Sequence, residues 1–178
     1  RNPWKKERDL ARYVLVPSAQ PLPHDLPQGT LLRTPLRCNV VTSSVHLALL
    51  SDLQALDFVT GVTDRSYIVS KAIQDSLQSH PAIVDLGQSM QPDVERMRQA
   101  GVNAIWVSPF ENAGHGVLDN LGLPLIECAD YMETSPLGRS EWMRFFGLLF
   151  GKRRQADSLF TAVRADYLQL CDLVKSVN

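Results

Sequence analysis

From Arg37 onward, short runs of β-branched and apolar residues alternate with longer segments whose apolar positions recur every three or four residues. The runs 38–42, 58–62, 82–86, 103–108 and 123–128 predict strands. Between them the pattern predicts helices over 45–56, 66–77, 92–101 and 116–121, the second of these only weakly amphipathic. Pro92 opens the third helix, with Asp93 and Glu95 in its first turn and Gly101 just past its end. Strands alternating with helices at this spacing predict an α/β domain with a Rossmann-like parallel sheet covered by helices.

The two ends read differently. Residues 11–17 and 30–35 predict short extended pieces around a loop with four prolines at 17–27, a preamble with little core of its own. The C-terminal part predicts only helix. Ser135 and Pro136 mark a helix start and Gly151 its stop. In the following segment Ala156, Phe160, Val163, Tyr167, Leu170 and Val174 fall on one face. A helix of about 25 residues spans roughly 38 Å, more than one small lobe requires, so part of this face is expected to meet another partner. The organisation expected is therefore 1–36 as an N-terminal extension, 37–134 as the α/β lobe and 135–178 as a helical segment.

At 178 residues, 44% hydrophobic and 21% charged, the chain can bury one real core but not two ordinary ones. The net charge of -1 leaves no electrostatic footprint for nucleic acid or an anionic membrane. Basic residues bunch within 1–12 and 152–154, where solvated ends are expected. Cys38, Cys128 and Cys171 have no metal-ligand spacing and are expected to be buried thiols. No run is apolar enough to span a membrane, and the charged start carries no export segment. The chain is thus expected to begin after processing or to be excised from a longer one.

The usual catalytic signatures are absent: no glycine-rich nucleotide fingerprint, no GK[ST], no GxSxG and no HExxH. Ser44 follows a predicted strand, as a nucleophile would, but no acid is marked to orient His46. A helix-capping serine is the simpler reading. His46 and His115 lie just beyond strand ends, too few for a metal site of three or four ligands. His24 and His80 adjoin prolines in predicted surface loops. In open α/β sheets ligands lie outside the carboxyl ends of the strands. There the predicted loops carry Tyr67, Phe110, Tyr131 and Met132, large side chains suited to a flat, largely apolar ligand.

The segments RCNVVTSSVHLALLSDLQALDFVTGVTDRSYI, IVDLGQSMQPDVERM, AIWVSPFENAG and ECADYMETSPLGRSEWMRFFGLLFG, in that order, carry a resemblance over residues 37–178. They resemble the N-terminal lobe of periplasmic substrate-binding proteins serving ABC importers of cobalamin, haem and ferric siderophores. The resemblance implies an interlobe role for the long last helix, a ligand clasped between two lobes and a C-terminal lobe missing from this chain. It implies an iron or cobalt chelate or a corrinoid as ligand, with Ser44, Tyr67, Phe110 and Tyr131 facing it. It also implies docking to an inner-membrane permease, for which Glu111 best matches the acidic contact, with Glu95 and Glu141 also in the pattern. An ordinary solvated glutamate is the other reading of Glu111. No catalysis, no resident metal or cofactor and no nucleic-acid partner are implied. The location implied is periplasmic, lipid-anchored in the full-length protein. The rival reading from another class is a small α/β hydrolase-like enzyme using Ser44 or His115.

Overall fold

The computed structural model describes residues 2–5, 7–111 and 113–177. Its centre is a five-stranded sheet in the order β5-β4-β3-β8-β9, every pairing parallel. The strands are β3 (Asn39–Val41), β4 (Val59–Val62), β5 (Val84–Asp85), β8 (Ala104–Val107) and β9 (Leu125–Glu127). Two small sheets flank it: a parallel pair of β1 (Tyr13–Pro17) with β2 (Thr30–Thr34), and an antiparallel hairpin of β6 (Gly87–Gln88) with β7 (Gln91–Pro92).

Side chains alternate across the sheet, so neighbours in sequence enter different cores. Val41, Val62, Trp106 and Ile126 pack with α1 (Ser44–Asp52), α2 (Lys71–Gln78) and α4 (Pro136–Leu149). Val40, Leu86, Ile105 and Val107 pack on the other side with Met97 of α3 (Val94–Gln99) and Leu118. A sheet covered on both faces explains why its strands read as continuous apolar runs. The polar exception, Asn39, is fully buried and paired: its amide donates to the Phe58 carbonyl at 2.9 Å and its oxygen accepts from the Trp106 indole at 3.2 Å.

Several expected boundaries move. The paired strands are shorter than the apolar runs, which also take in flanking residues such as the buried Leu86 and Cys128. The helix expected over 45–56 ends at Asp52, where Leu53 caps it and Gln54 turns into the left-handed region at φ 50°. A separate 3₁₀ turn, Leu56–Phe58, leads into β4. The segment 66–77 divides into a 3₁₀ turn, Arg65–Tyr67, and α2, whose Ile73 and Leu77 reach the core. Pro92 does not open α3: it pairs in the hairpin, and Asp93 is the cap, accepting from the Arg96 amide at 2.9 Å. The helix expected over 116–121 is a 3₁₀ turn, Gly116–Asn120.

The N-terminal extension is not without core, since Leu32 and Leu36 are buried in the cluster that holds Trp106 and Phe146. Of the three thiols only Cys128 is buried. Cys38 sits at a left-handed turn (φ 54°) before β3, and Cys171 lies far along the last helix.

The C-terminal helices follow the expectation closely. Ser135 caps α4 by accepting from the Gly138 amide at 3.0 Å, and Gly151 breaks the chain at φ 67°. The last helix, α5 (Arg153–Val177), crosses α4 at Gly147. A β-carbon at that glycine would lie 2.4 Å from the Ala156 methyl, so the crossing requires glycine. On α5 only the first part of the apolar face is covered. Ala156 and Phe160 are buried, whereas Leu170 and Val174 are 61% and 62% exposed. No helix among the described residues is long and apolar enough to cross a membrane.

Candidate functional site

Because the five strands are parallel, the loops after β3, β4, β5, β8 and β9 all leave from one edge of the sheet. That edge gathers the sequence-predicted residues. Ser44 is the exposed first residue of α1, while the cap is its neighbour Ser43, whose hydroxyl accepts from the Val45 amide at 3.3 Å. Tyr67 ends the turn after β4 and is 72% exposed. Phe110 follows β8 and is 62% exposed, and Tyr131 follows β9.

Phe110 and Tyr131 form a pair, with ring centroids 6.1 Å apart. The Tyr131 phenol donates to the Pro109 carbonyl, which ties the loop after β9 to the loop after β8. Its pKa is raised by the desolvation of its surroundings and by the nearby Asp130 carboxylate. A second tie joins the loops after β4 and β5: Asp64, left-handed at φ 53°, donates its amide to the Gly87 carbonyl at 2.7 Å. Its carboxylate accepts from the Ser89 amide at 3.2 Å. That tie raises a hairpin with Met90 at its tip, a largely exposed apolar side chain that sequence reasoning did not single out. Glu111 is exposed in the turn closed by the Phe110–Ala113 bridge. Met132, by contrast, is half-buried and faces a groove beside α4.

The two histidines beyond strand ends have acidic partners that the sequence did not mark. His46 Nε2 lies 2.9 Å from Asp130 Oδ1, both groups almost wholly buried, with Arg139 3.9 Å from the other carboxylate oxygen. The imidazole is wedged against Trp106 and Phe146. An acid does orient it, contrary to the expectation from sequence, but the ring is enclosed in the core and its described hydrogen bond is to Asp130 rather than Ser44. His115 Nε2 lies 3.0 Å from Glu127 Oε1, and its backbone amide donates to Asp119 at 2.7 Å. Among the described residues no three His, Cys, Asp or Glu side chains are grouped to hold a metal ion.

No protein-family profile matches the chain. It is 27% identical over 154 residues to an uncharacterized lipoprotein of Methanocaldococcus jannaschii, an alignment covering 82% of this chain and 37% of the lipoprotein. Among solved structures it superposes on the petrobactin-binding protein YclQ of Bacillus subtilis with a TM-score of 0.63 at 15% identity, covering 80% of this chain and 48% of that one. The molybdate periplasmic binding protein MolA of Haemophilus influenzae gives 0.62 at 14% identity, covering 78% and 48%. A periplasmic heme-binding protein of Pseudomonas aeruginosa gives 0.56 at 15%, covering 79% and 48%. The fold is that of the periplasmic binding proteins. The chain spans about half the length of these structures and 37% of the lipoprotein.

Proposed function

We propose that this chain is the N-terminal, ligand-facing lobe and linking helix of an ABC importer's substrate-binding protein that captures an iron or cobalt chelate: a siderophore, haem or cobalamin. The observation that carries the reading is the rim of large exposed side chains, Tyr67, Phe110 and Tyr131, all at the carboxyl edge of one parallel sheet. Exposed aromatics are unfavourable in water and suit a flat, apolar partner that covers them. Ser44 stands at the same edge, on the exposed start of α1, as a polar contact.

The uncovered apolar stretch of α5 supports a second lobe packing beyond Phe160, which would complete the clasp. In this reading residues 1–36 decorate the lobe, 37–134 carry the rim and 135–178 link the lobes. Glu111 offers an exposed carboxylate for a reversible contact with a basic permease surface. The likeness to a lipoprotein and to periplasmic proteins supports a lipid-anchored, extracytoplasmic location for the complete protein. The hydrolase reading through Ser44 is disfavoured because His46 is enclosed in the core. For His115 the described side-chain contact is a carboxylate rather than a nucleophile.

The test is a tryptophan-fluorescence titration of the chain with cyanocobalamin, haemin and a ferric hydroxamate. Saturable quenching by one class, weakened at least severalfold by Phe110→Ala, is expected. The same titrations are made on the complete two-lobed protein, where flat responses to all three would reject the chelate reading.

A further inference from the structure

A groove of ≈ 710 Å³ runs between the N-terminal segment, the end of β9 and α4. Its lining includes none of Ser44, Tyr67, Phe110 and Tyr131, although Met132 and Glu133 reach it from the loop that carries Tyr131. Three of its wall residues are aromatic and hold one another in place. Phe145 meets Trp142 edge-on, with centroids 5.8 Å apart and planes at 89°, and its ring lies 6.0 Å from that of Tyr13. Tyr13 is fixed twice over: its hydroxyl donates to the Leu125 carbonyl at 2.9 Å and accepts from the Glu127 amide at 2.7 Å.

Glu127, Glu133 and Glu141 also line the groove, and among the described lining residues there is no lysine or arginine. Glu127 faces His115 and Glu141 pairs with Arg144 at 3.2 Å. Glu133 differs, because it accepts a hydrogen bond from a neutral group, the Trp142 indole, at 2.9 Å. Its charge therefore sits at the edge of the indole that carries the N–H, without cancellation by that partner. Aromatic faces attract cations through their quadrupole, and a neighbouring carboxylate adds to the attraction. The volume falls within the range of about 300–1,000 Å³ typical of small-molecule sites.

We propose that this groove binds a small organic cation with an apolar body, its ammonium held by Glu133 and its body laid against Tyr13, Trp142 and Phe145. An anion is repelled by the carboxylates. A neutral compound of the same shape loses the electrostatic contribution while keeping the apolar one, and that difference makes the idea testable. The inference does not depend on the chelate reading, since the groove holds none of the four residues proposed to face the chelate.

The experiment titrates the 178-residue chain with phenethylammonium and with its neutral counterpart 2-phenylethanol, followed by calorimetry. Saturable binding of the cation, at least about tenfold tighter than the alcohol, is expected from the charge-dependent contacts. Glu133 is exposed, so Glu133→Gln should leave the circular dichroism spectrum unchanged while weakening the cation by about tenfold. Asp75→Asn, on the exposed face of α2, should leave it unaffected. Equal affinity for cation and alcohol, undiminished binding in Glu133→Gln, or no saturable binding of the cation would each overturn the proposal.

Discussion

The buried pair of His46 and Asp130 is the residue-scale feature with the largest consequence. It joins α1 to the turn that carries Tyr131, across 84 positions of sequence. Asp130→Ala would leave the imidazole without its acceptor inside an apolar shell. We expect a loss of about 3 kcal/mol, measured by urea unfolding, with a smaller loss for Asp130→Asn, which keeps an acceptor. The thiols give a second expectation. Burial first, then the charges of Asp130 and Glu127, pushes Cys128 well above its ordinary value of 9.0. A maleimide at pH 8 should therefore label half-buried Cys38 and Cys171 in the folded protein and reach Cys128 only on unfolding. Desolvation likewise raises Tyr13 far above its ordinary value of 10.0. A raised pKa means that the folded state holds the proton more tightly than the unfolded one. The resulting stability is complete below the unfolded value and is lost as pH climbs above it toward the folded one. Tyr13→Phe should accordingly flatten the fall in stability above about pH 10, read from urea midpoints at stepped pH.

At the scale of elements, the crossing of α4 and α5 governs how the C-terminal part sits on the sheet. Gly147 allows the close approach to Ala156 and to the backbone of Lys152 and Arg153, none of which is the end of a flexible side chain. Gly147→Ala should cost about 1–3 kcal/mol through overpacking, despite alanine's better helix propensity. Farther along α5 the opposite holds. Leu170→Glu replaces an exposed apolar group and should shift stability by no more than about 0.5 kcal/mol. If that variant unfolds the chain, α5 is covered in solution at a point where the fold leaves it open. Size-exclusion chromatography of the two variants separates packing within the lobe from association through the helix.

For the whole molecule, the parallel topology is what makes a site possible. One edge receives all five loops that leave the carboxyl ends of the central strands, and four of those loops are cross-linked in two pairs, by Tyr131 and by Asp64. The rim side chains add little to the core. Tyr67→Ala combined with Phe110→Ala is thus expected to keep the thermal midpoint within about 2–4 °C of the parent while abolishing chelate quenching. A large drop in the midpoint would instead assign these rings to packing.

Much of this was legible along the chain. The alternation of apolar runs and helical segments is a local property, and so are the Ser135–Pro136 start and the Gly151 stop, because each is decided by backbone sterics and capping within a turn or two. So is the placement of Ser44, Tyr67, Phe110 and Tyr131 after strands, which is read from order alone. Boundaries such as Asp93 rather than Pro92 were not legible, since the hairpin of β6 and β7 claims the proline through a pairing with Gly87. Nor was the burial of Leu32 and Leu36, which depends on α4 closing over the N-terminal strands from more than 100 residues away. The acid for His46, the aromatic wall beside Glu133 and the uncovered end of α5 were decided only by tertiary structure. Side chains far apart in sequence meet through the packing of whole elements, and no local periodicity carries that information. The sequence by itself determined the five central strands and the two C-terminal helices, and so the edge on which the rim lies; tertiary packing decided the β6–β7 hairpin, which polar groups are paired, which are enclosed and which stay exposed.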